Sequence, residues 1–328
     1  MPVNQTWSTF SDYAYYTAVV IYVLAMVFCT AEQAFGRERR NAGRRRSREL
    51  VGAAGPPPES VDTPGISTGQ PAPAGPRPVP ERLGRMGIAL TVLGVGTHLT
   101  SLVLRGLAAG RVPWGNMYEY VSVACVTAVI AWLVLLRRFS ARHATTFLLL
   151  PIVILMFIGG TALYTTAAPV QPALQSYWLV IHVSTVAASS GMLLVPGVAS
   201  VLYLIRRANV ANPQRFAKLS GKLPGEDMLD RIAYRTTIFA FPVYTFAIIC
   251  GAIWAEAAWG RFWGWDPKET VAFIAWVVYA AYLHSRATAG WRGTRAAAIN
   301  SVGFAVTVFN LFFVNLVTTG LHSYAGVG

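Results

Sequence analysis

The sequence predicts an all-α polytopic integral membrane protein with about eight transmembrane helices. Of its 328 residues, 54% are hydrophobic and only 12% are charged, whereas a soluble domain carries about a quarter charged residues. The apolar residues form long runs, and a helix needs about 20 of them to cross a bilayer. The eight runs that suit such helices cover residues 13–31, 87–108, 117–136, 145–164, 178–205, 236–256, 269–285 and 296–318.

The basic residues predict how these spans are oriented. Arg and Lys cluster after the first, third, fifth and seventh runs, and the connections between those clusters hold few of them. Cytoplasmic loops carry an excess of Lys and Arg, so we expect both termini to lie outside the cell. The net charge of +13 then reflects cytoplasmic loops that face anionic lipid headgroups. A lipid bilayer is therefore the expected partner, and nucleic acid is not.

The composition divides the chain into three parts. Residues 1–36 hold the first transmembrane helix, and residues 86–328 hold the other spans as one membrane domain. Residues 37–85 form a linker that begins with seven arginines and continues with Pro56-Pro57-Pro58 and repeated Pro, Gly and Ala. Such a segment cannot build a core, so we expect a cytoplasmic linker whose Pro-rich part is disordered. The fifth run, 178–205, exceeds the bilayer thickness and should tilt or extend beyond it.

An aromatic run lies between the sixth and seventh spans, on the predicted external side. It reads Trp259-Gly-Arg-Phe-Trp263-Gly-Trp265-Asp266 and is followed by Pro-Lys-Glu-Thr. Trp and Tyr also collect at membrane interfaces as general anchors, which is the alternative interpretation. The close crowding of the rings favours a platform for a large planar ligand, because it offers broad flat faces.

Two histidines lie on the same predicted side as the aromatic run. His182 is near the outer start of the fifth span, and His322 directly follows the eighth. Two imidazoles beside an aromatic platform suit axial ligation of a haem iron from both faces. The alternative is a pair of hydrogen-bonded interfacial histidines.

The other three histidines differ in depth. His284 lies 18 residues beyond Asp266, which is roughly 27 Å along a helix, so it is expected near the cytoplasmic side. It marks either a second, inner site or a side chain that reaches the inner headgroups beside Arg286. His98 lies within a span and is expected to bond a neighbouring helix through Ser or Thr. His143, in a basic loop, is expected to be solvated.

Cys29, Cys125 and Cys250 lie far apart, and none belongs to a Cys-x-x-Cys pair, so we expect small core residues.

The outer connection that starts at Arg111 also holds several aromatic residues and a carboxylate. We expect it to pack under the aromatic platform or to contact a partner. The alternative interpretation is a short Pro-Gly turn with Asn116 capping the next helix.

Four segments together resemble a known family. The aromatic run with Asp-Pro-Lys-Glu-Thr resembles the tryptophan-rich WWD signature of haem-handling proteins of cytochrome c maturation. Pro113-Trp-Gly-Asn-Met-Tyr-Glu119, Trp178 to Ser184 and Asn315 to Tyr324 are similar to the CcsA (ResC) branch of the system II pathway, often labelled CcsB in actinobacteria. The resemblance covers roughly residues 85–328, so the membrane domain is interpreted as a CcsA-like haem-handling domain.

The resemblance implies a function in cytochrome c-type biogenesis. Proteins of this family bind haem b, move it across the plasma membrane and present it through the external tryptophan-rich loop. It is then attached to an apocytochrome c that carries a Cys-x-x-Cys-His motif. A Ccs1/ResB-type membrane protein is the partner, so the chain is expected to be a subunit of a haem-attachment (cytochrome c synthase) complex. Whether this chain alone forms the thioether bonds is left open.

The resemblance also implies the site residues. His182 and His322 match the ligands of the external haem iron, and His284 matches a ligand of haem within the membrane, whose opposite ligand comes from the partner. The remaining candidate haem-binding residues are Trp259, Trp263, Trp265 and Asp266. Asp266 is expected to orient the loop or a ligand histidine. Arg261 and Phe262 stand where some relatives carry other residues, and Arg261 is expected to pair with a haem propionate or to face water.

Two other functions stay open from the sequence. A CcmC-like protein would share the tryptophan signature but would deliver haem to a chaperone. A secondary transporter could use His98 and His284 in a proton relay, although the paired repeats and broken helices of such transporters are not evident.

Overall fold

The computed structural model describes residues 3–53, 78–169 and 176–318, with side chains omitted for 36–53. These residues form α-helices joined by short connections, and no strand occurs among them, so the predicted fold class is confirmed. The helices are α1 (Gln5–Ala53), α2 (Val79–Ala109), α3 (Met117–Leu136), α4 (Thr145–Thr161), α5 (Tyr177–Ala211), α6 (Ala217–Ser220), α7 (Glu226–Trp259), α8 (Pro267–Ala287) and α9 (Thr294–Phe309).

Seven of the eight predicted runs lie in helices long and apolar enough to cross a membrane. The exception is the run 269–285, which lies in α8, a helix of 21 residues. Its ends are polar, with Lys268 and Glu269 in the first turn and His284 and Arg286 in the last, and this lowers its hydropathy. The fifth span is long, as predicted, because α5 has 35 residues.

Helices α1 and α2 form a close pair along most of their described length. Small residues of α2 face α1, and a Cβ atom added to Gly87 would lie 2.5 Å from Cys29 Sγ. Small side chains allow membrane helices to approach closely. All three cysteines are buried and free, as expected of core residues. Helix α1 continues to Ala53 through the basic segment, and most of the Pro-rich stretch, 54–77, lies outside the described residues.

Helix α5 is central to the rest of the bundle and packs against α3, α7 and α9. Its contact with α3 is a backbone approach at Gly191, where an added Cβ would overlap the carbonyl oxygen of Ala124 and lie 3.0 Å from Ala128 N. The two backbones can approach this closely only because Gly191 has no side chain.

One end of the bundle, called here the aromatic end, holds the first turns of α1, α3, α5 and α8 and the last turns of α2, α4, α7 and α9. A buried charge cluster joins three of these helices. The fully buried carboxylate of Glu119 accepts from Arg105 Nε at 3.0 Å and from Arg111 Nη1 at 2.6 Å, and Asp12 Oδ1 lies 3.6 Å from Arg105 Nη1. Buried charges need such partners, because an unpaired one is costly.

The turn before α3 is capped by Asn116, as in the alternative interpretation of the sequence. Asn116 Oδ1 accepts from the backbone N–H of Glu119 at 2.9 Å. The next residue, Tyr120, is hydrogen-bonded through its hydroxyl to Ser190 Oγ on α5 at 2.8 Å. The capped turn and the charge cluster therefore fix α3 where it lines the cavity described below.

We expect Gly191→Ala to lower the stability of the protein by about 1–3 kcal/mol, because the added methyl group overpacks the α3–α5 contact. The measurement is the thermal midpoint of unfolding in detergent. Gly96→Ala is the matched control, since nothing lies within 4 Å of a Cβ added there. An unchanged midpoint for Gly191→Ala would contradict the close backbone approach.

Candidate functional site

A cavity of about 390 Å³ opens at the aromatic end of the bundle, within the size range of small-molecule sites. Residues of α3, α4, α5, α7, α8 and α9 line it, and most of them are apolar. On α5 the lining extends from His182 to Leu194, roughly 18 Å along the helix at 1.5 Å per residue. The cavity therefore reaches from the loop that follows α7 deep into the span.

His182 lies in the wall of this cavity, half-buried near the start of α5. Its Nδ1 donates a hydrogen bond to the backbone carbonyl of Ala247 on α7, at 2.8 Å. A carbonyl can only accept, so Nδ1 carries a proton, and the neutral imidazole then has its lone pair on Nε2. The imidazole is nearly parallel to Trp254, with 9° between the planes and 6.1 Å between the ring centroids.

One face of α7 is shaped to hold this imidazole. Ala247, Gly251 and Trp254 follow each other at helical i, i+4 and i+7 spacing, so they lie on one face. A Cβ added to Gly251 would lie 2.6 Å from His182 Cε1 and 2.8 Å from Nδ1. Sequence reasoning missed these three residues. The signal that could have found them is a glycine and a tryptophan eight and five residues before Trp259, which places both on one face of the helix that leads into the aromatic run.

The loop after α7 is held by two helix ends. Gly260 ends α7 in the left-handed conformation, at φ 67°. Asp266 begins α8 as the N-cap of a capping box, in which Glu269 Oε2 accepts from the backbone N–H of Asp266 at 3.2 Å. Trp265 has φ 57°, which is uncommon for a residue with a side chain. The two acidic residues of the signature, Asp266 and Glu269, therefore cap the start of α8.

The aromatic residues of the loop are divided between the cavity and the surface. Trp259, Phe262 and Trp263 line the cavity, and Trp259 meets Trp254 edge-on with centroids 4.8 Å apart. Trp265 is 67% exposed and packs edge-on against Trp263 at 5.9 Å. Trp265 and Asp266 are absent from the described lining, so the structure brings His182 together with two of the three predicted tryptophans.

The charged residues of the loop are differently engaged. Arg261 is the residue expected to pair with a haem propionate, and its Nη1 lies 3.9 Å from Glu269 Oε2. The ammonium of Lys268 donates to Asn315 Oδ1, just beyond the π-helical turn Asn310–Val314 that ends α9. Burial lowers the pKa of Lys268 to about 8, and Asp266 opposes the shift. Lys268 and Glu269 both line the cavity.

The other predicted histidines lie elsewhere. His322 is outside the described residues. His284 is exposed near the end of α8, and His143 is exposed in its loop as expected. His98 is fully buried and hydrogen-bonded through Nε2 to Ser122 Oγ on α3 at 2.8 Å, which confirms the expected bond to a neighbouring helix. His98 contacts α1 and α3, whereas the helix of His284 packs on α7 and α9, so nothing described here joins them into a relay.

The fold and the site together define a class of protein. It is a multi-pass helical membrane protein with a largely apolar cavity at one end of the bundle, three aromatic loop residues at its rim and an imidazole in its wall.

Comparison with known proteins assigns the family. Residues 114–322 match the family model of the cytochrome C assembly protein. The curated cytochrome c biogenesis protein CcsA of Guillardia theta is 34% identical over 262 residues, covering 73% of this chain and 85% of the relative. The CcsA proteins of Synechococcus sp. (strain CC9605) and Chlamydomonas reinhardtii are each 35% identical, covering 73% and 74% of this chain and 87% and 69% of theirs. The chain therefore belongs to the CcsA family of cytochrome c biogenesis proteins.

A solved structure shares the fold. The cytochrome c haem lyase CcmF superposes with a TM-score of 0.60 at 15% sequence identity, covering 95% of this chain. This chain spans about half of the CcmF chain, since the match covers 47% of it. The similarity at this identity shows a common helical arrangement.

We expect Gly251→Ala to displace the imidazole of His182 and to break its bond to Ala247. Under the role proposed for His182 below, that of a haem ligand, loss of such an orienting bond costs about 10–100-fold in affinity. The haem that co-purifies from haem-replete cells should then fall at least severalfold. The measurement is Soret absorbance per protein. Ala257→Ser, at an exposed position on α7, is the control. Wild-type haem content in Gly251→Ala would contradict the arrangement.

Proposed function

We propose that this chain holds haem b at the aromatic end and presents it for covalent attachment to apocytochrome c, with a Ccs1/ResB-type membrane protein as its partner. The single observation that carries this proposal is the placement of His182 in the wall of an apolar cavity, beside Trp254, Trp259 and Trp263, with its Nδ1 bonded to a backbone carbonyl. Family membership supports the reaction class.

The residues of the cavity fit a haem. Metal-ligating histidines usually donate their other ring N–H to a carbonyl or carboxylate, and this bond fixes the tautomer. His182 makes that bond to Ala247, and in this proposal its Nε2 ligates the iron. Imidazole is an axial ligand of haem iron. The aromatic and aliphatic lining suits the flat apolar faces of a porphyrin.

The second external ligand in this proposal is His322. It follows α9, and the end of α9 is fastened at the cavity rim because Asn315 accepts from Lys268 and donates to the carbonyl of Leu311 at 2.6 Å. The chain beyond Asn315 therefore starts beside the cavity. The family model also extends to residue 322.

In this proposal, His284 ligates a second haem at an inner position. Its exposure on α8 suits a ligand shared with a partner subunit, which would supply the opposite side. The basic residues that follow the first, third, fifth and seventh runs orient this end of α8 toward the cytoplasm and the aromatic end toward the outside of the plasma membrane. His284 and His182 thus belong to the two ends of a transfer route.

The chain acts by binding and orienting its cargo. When bound, the haem would supply two vinyl groups, and each cysteine thiol of Cys-x-x-Cys-His would add across one of them, its sulfur bonding one vinyl carbon and its proton going to the other. His182 and His322 would hold the iron, and Trp259, Phe262 and Trp263 would cover the cavity mouth and exclude water. Trp265, exposed beside Trp263, is available to the arriving apocytochrome. Asp266 fixes the loop by capping α8.

We expect the double variant His182→Ala, His322→Ala, purified with its partner, to lose the external haem, because both axial ligands are removed. The measurement is haem content per protein together with the reduced absorption spectrum. The inner haem should remain, since His284 is unchanged. His143→Ala, at an exposed loop histidine, is the control and should match wild type. A double variant with wild-type haem content and spectrum would refute the ligand assignment.

A further inference from the structure

The carboxylates beside the cavity are occupied by the loop itself. Glu269 Oε2 accepts from the backbone N–H of Gly264 at 2.9 Å and of Asp266 at 3.2 Å, and Arg261 lies 3.9 Å away. Asp266 Oδ2 accepts from the backbone N–H of Lys268 at 3.3 Å. Glu269 therefore holds the loop against the start of α8, and Asp266 caps that helix.

The ammonium of Lys268 has a different environment. Its hydrogen-bond acceptor is the neutral amide of Asn315, and no carboxylate oxygen of the described residues forms an ion pair with it. It also sits in the first turn of α8, where the helix dipole disfavours a cation. The nearby carboxylate of Asp266 favours the charged form but does not outweigh the effect of burial. A half-buried cation that no carboxylate of the described residues contacts directly is costly, and an anion bonded to it would relieve that cost.

The positive charge of Lys268 belongs to the wall of the cavity. Among the described residues that line the cavity, Lys268 is the only lysine or arginine. The rest of the lining is mainly apolar and aromatic, and the nearest acidic lining residue, Glu269, is engaged by the loop. A ligand that matches this lining has a large apolar body and an anionic group at one edge.

We propose that Lys268 binds a carboxylate of the cargo, a propionate side chain of the porphyrin, and so sets which edge of the porphyrin faces the start of α8. This inference rests on the proposed function and adds the residue that recognises the anionic edge. Arg261, which the sequence suggested for this role, does not belong to the described lining of the cavity, and its Nη1 lies 3.9 Å from Glu269 Oε2.

A purely structural role for Lys268 predicts a different outcome. As a tether between α8 and the end of α9, Lys268 would affect every porphyrin equally when it is replaced. As a carboxylate-binding residue, it would distinguish a porphyrin with free propionates from one whose propionates are esterified. The two roles are therefore separated by the ratio of two affinities, not by either affinity alone.

The experiment measures the affinity of the full-length protein, purified in detergent, for haem and for haem dimethyl ester by absorbance titration. Hydrogen bonds to charged groups contribute about 1.5–3 kcal/mol, so wild type should prefer haem by about tenfold or more. Lys268→Gln should bring the ratio close to one, and Lys268→Arg should retain most of the preference. Lys222→Gln, at an exposed loop lysine, should leave the ratio unchanged.

The remaining outcomes are also decisive. Asn315→Leu removes the tether but keeps the ammonium, so retention of the ratio in this variant supports the proposal. An equal loss of both affinities in Lys268→Gln, with the ratio preserved, overturns it, as does a wild-type protein that does not discriminate. If wild type binds neither porphyrin with an imidazole-ligated spectrum, the proposed function fails and this inference fails with it.

Discussion

The hydrogen bond from His182 Nδ1 to the carbonyl of Ala247 is the interaction on which the site depends. It joins α5 to α7, selects one tautomer of the imidazole and fixes the direction of Nε2. The bond can form only because Gly251 leaves room for the ring. Trp254, one turn further along α7, lies parallel to the same ring. A single face of α7 therefore supplies the acceptor, the space and the aromatic contact.

The surrounding bundle keeps these parts in register. Gly191 lets α5 approach α3, and the buried carboxylate of Glu119 holds the start of α3 through two arginines. On the other side, the capping box of α8 supports Trp265 in a conformation that is unfavourable for it alone. The loop thus presents its rings from two fixed helix ends, and the rigidity of the site comes from helix packing and caps.

Much of the fold and part of the site could be predicted from the sequence. The helical class and seven spans follow from apolar runs, and His182, Trp259 and Trp263 follow from an imidazole and an aromatic run assigned to the same side of the membrane. The role of Asp266 is harder to predict, because a carboxylate that follows tryptophans is equally compatible with a ligand contact and with a helix cap. Gly251 and Trp254 were missed because they lie in an apolar run, where sequence alone does not show which face meets α5.

The most direct test is an experimental structure of the haem-replete protein with its partner, determined by electron cryomicroscopy. We expect iron density within coordination distance of His182 Nε2, under the aromatic rim formed by Trp259 and Trp263, while Nδ1 remains bonded to Ala247. Haem bound elsewhere, with His182 engaged only by protein atoms, would contradict it.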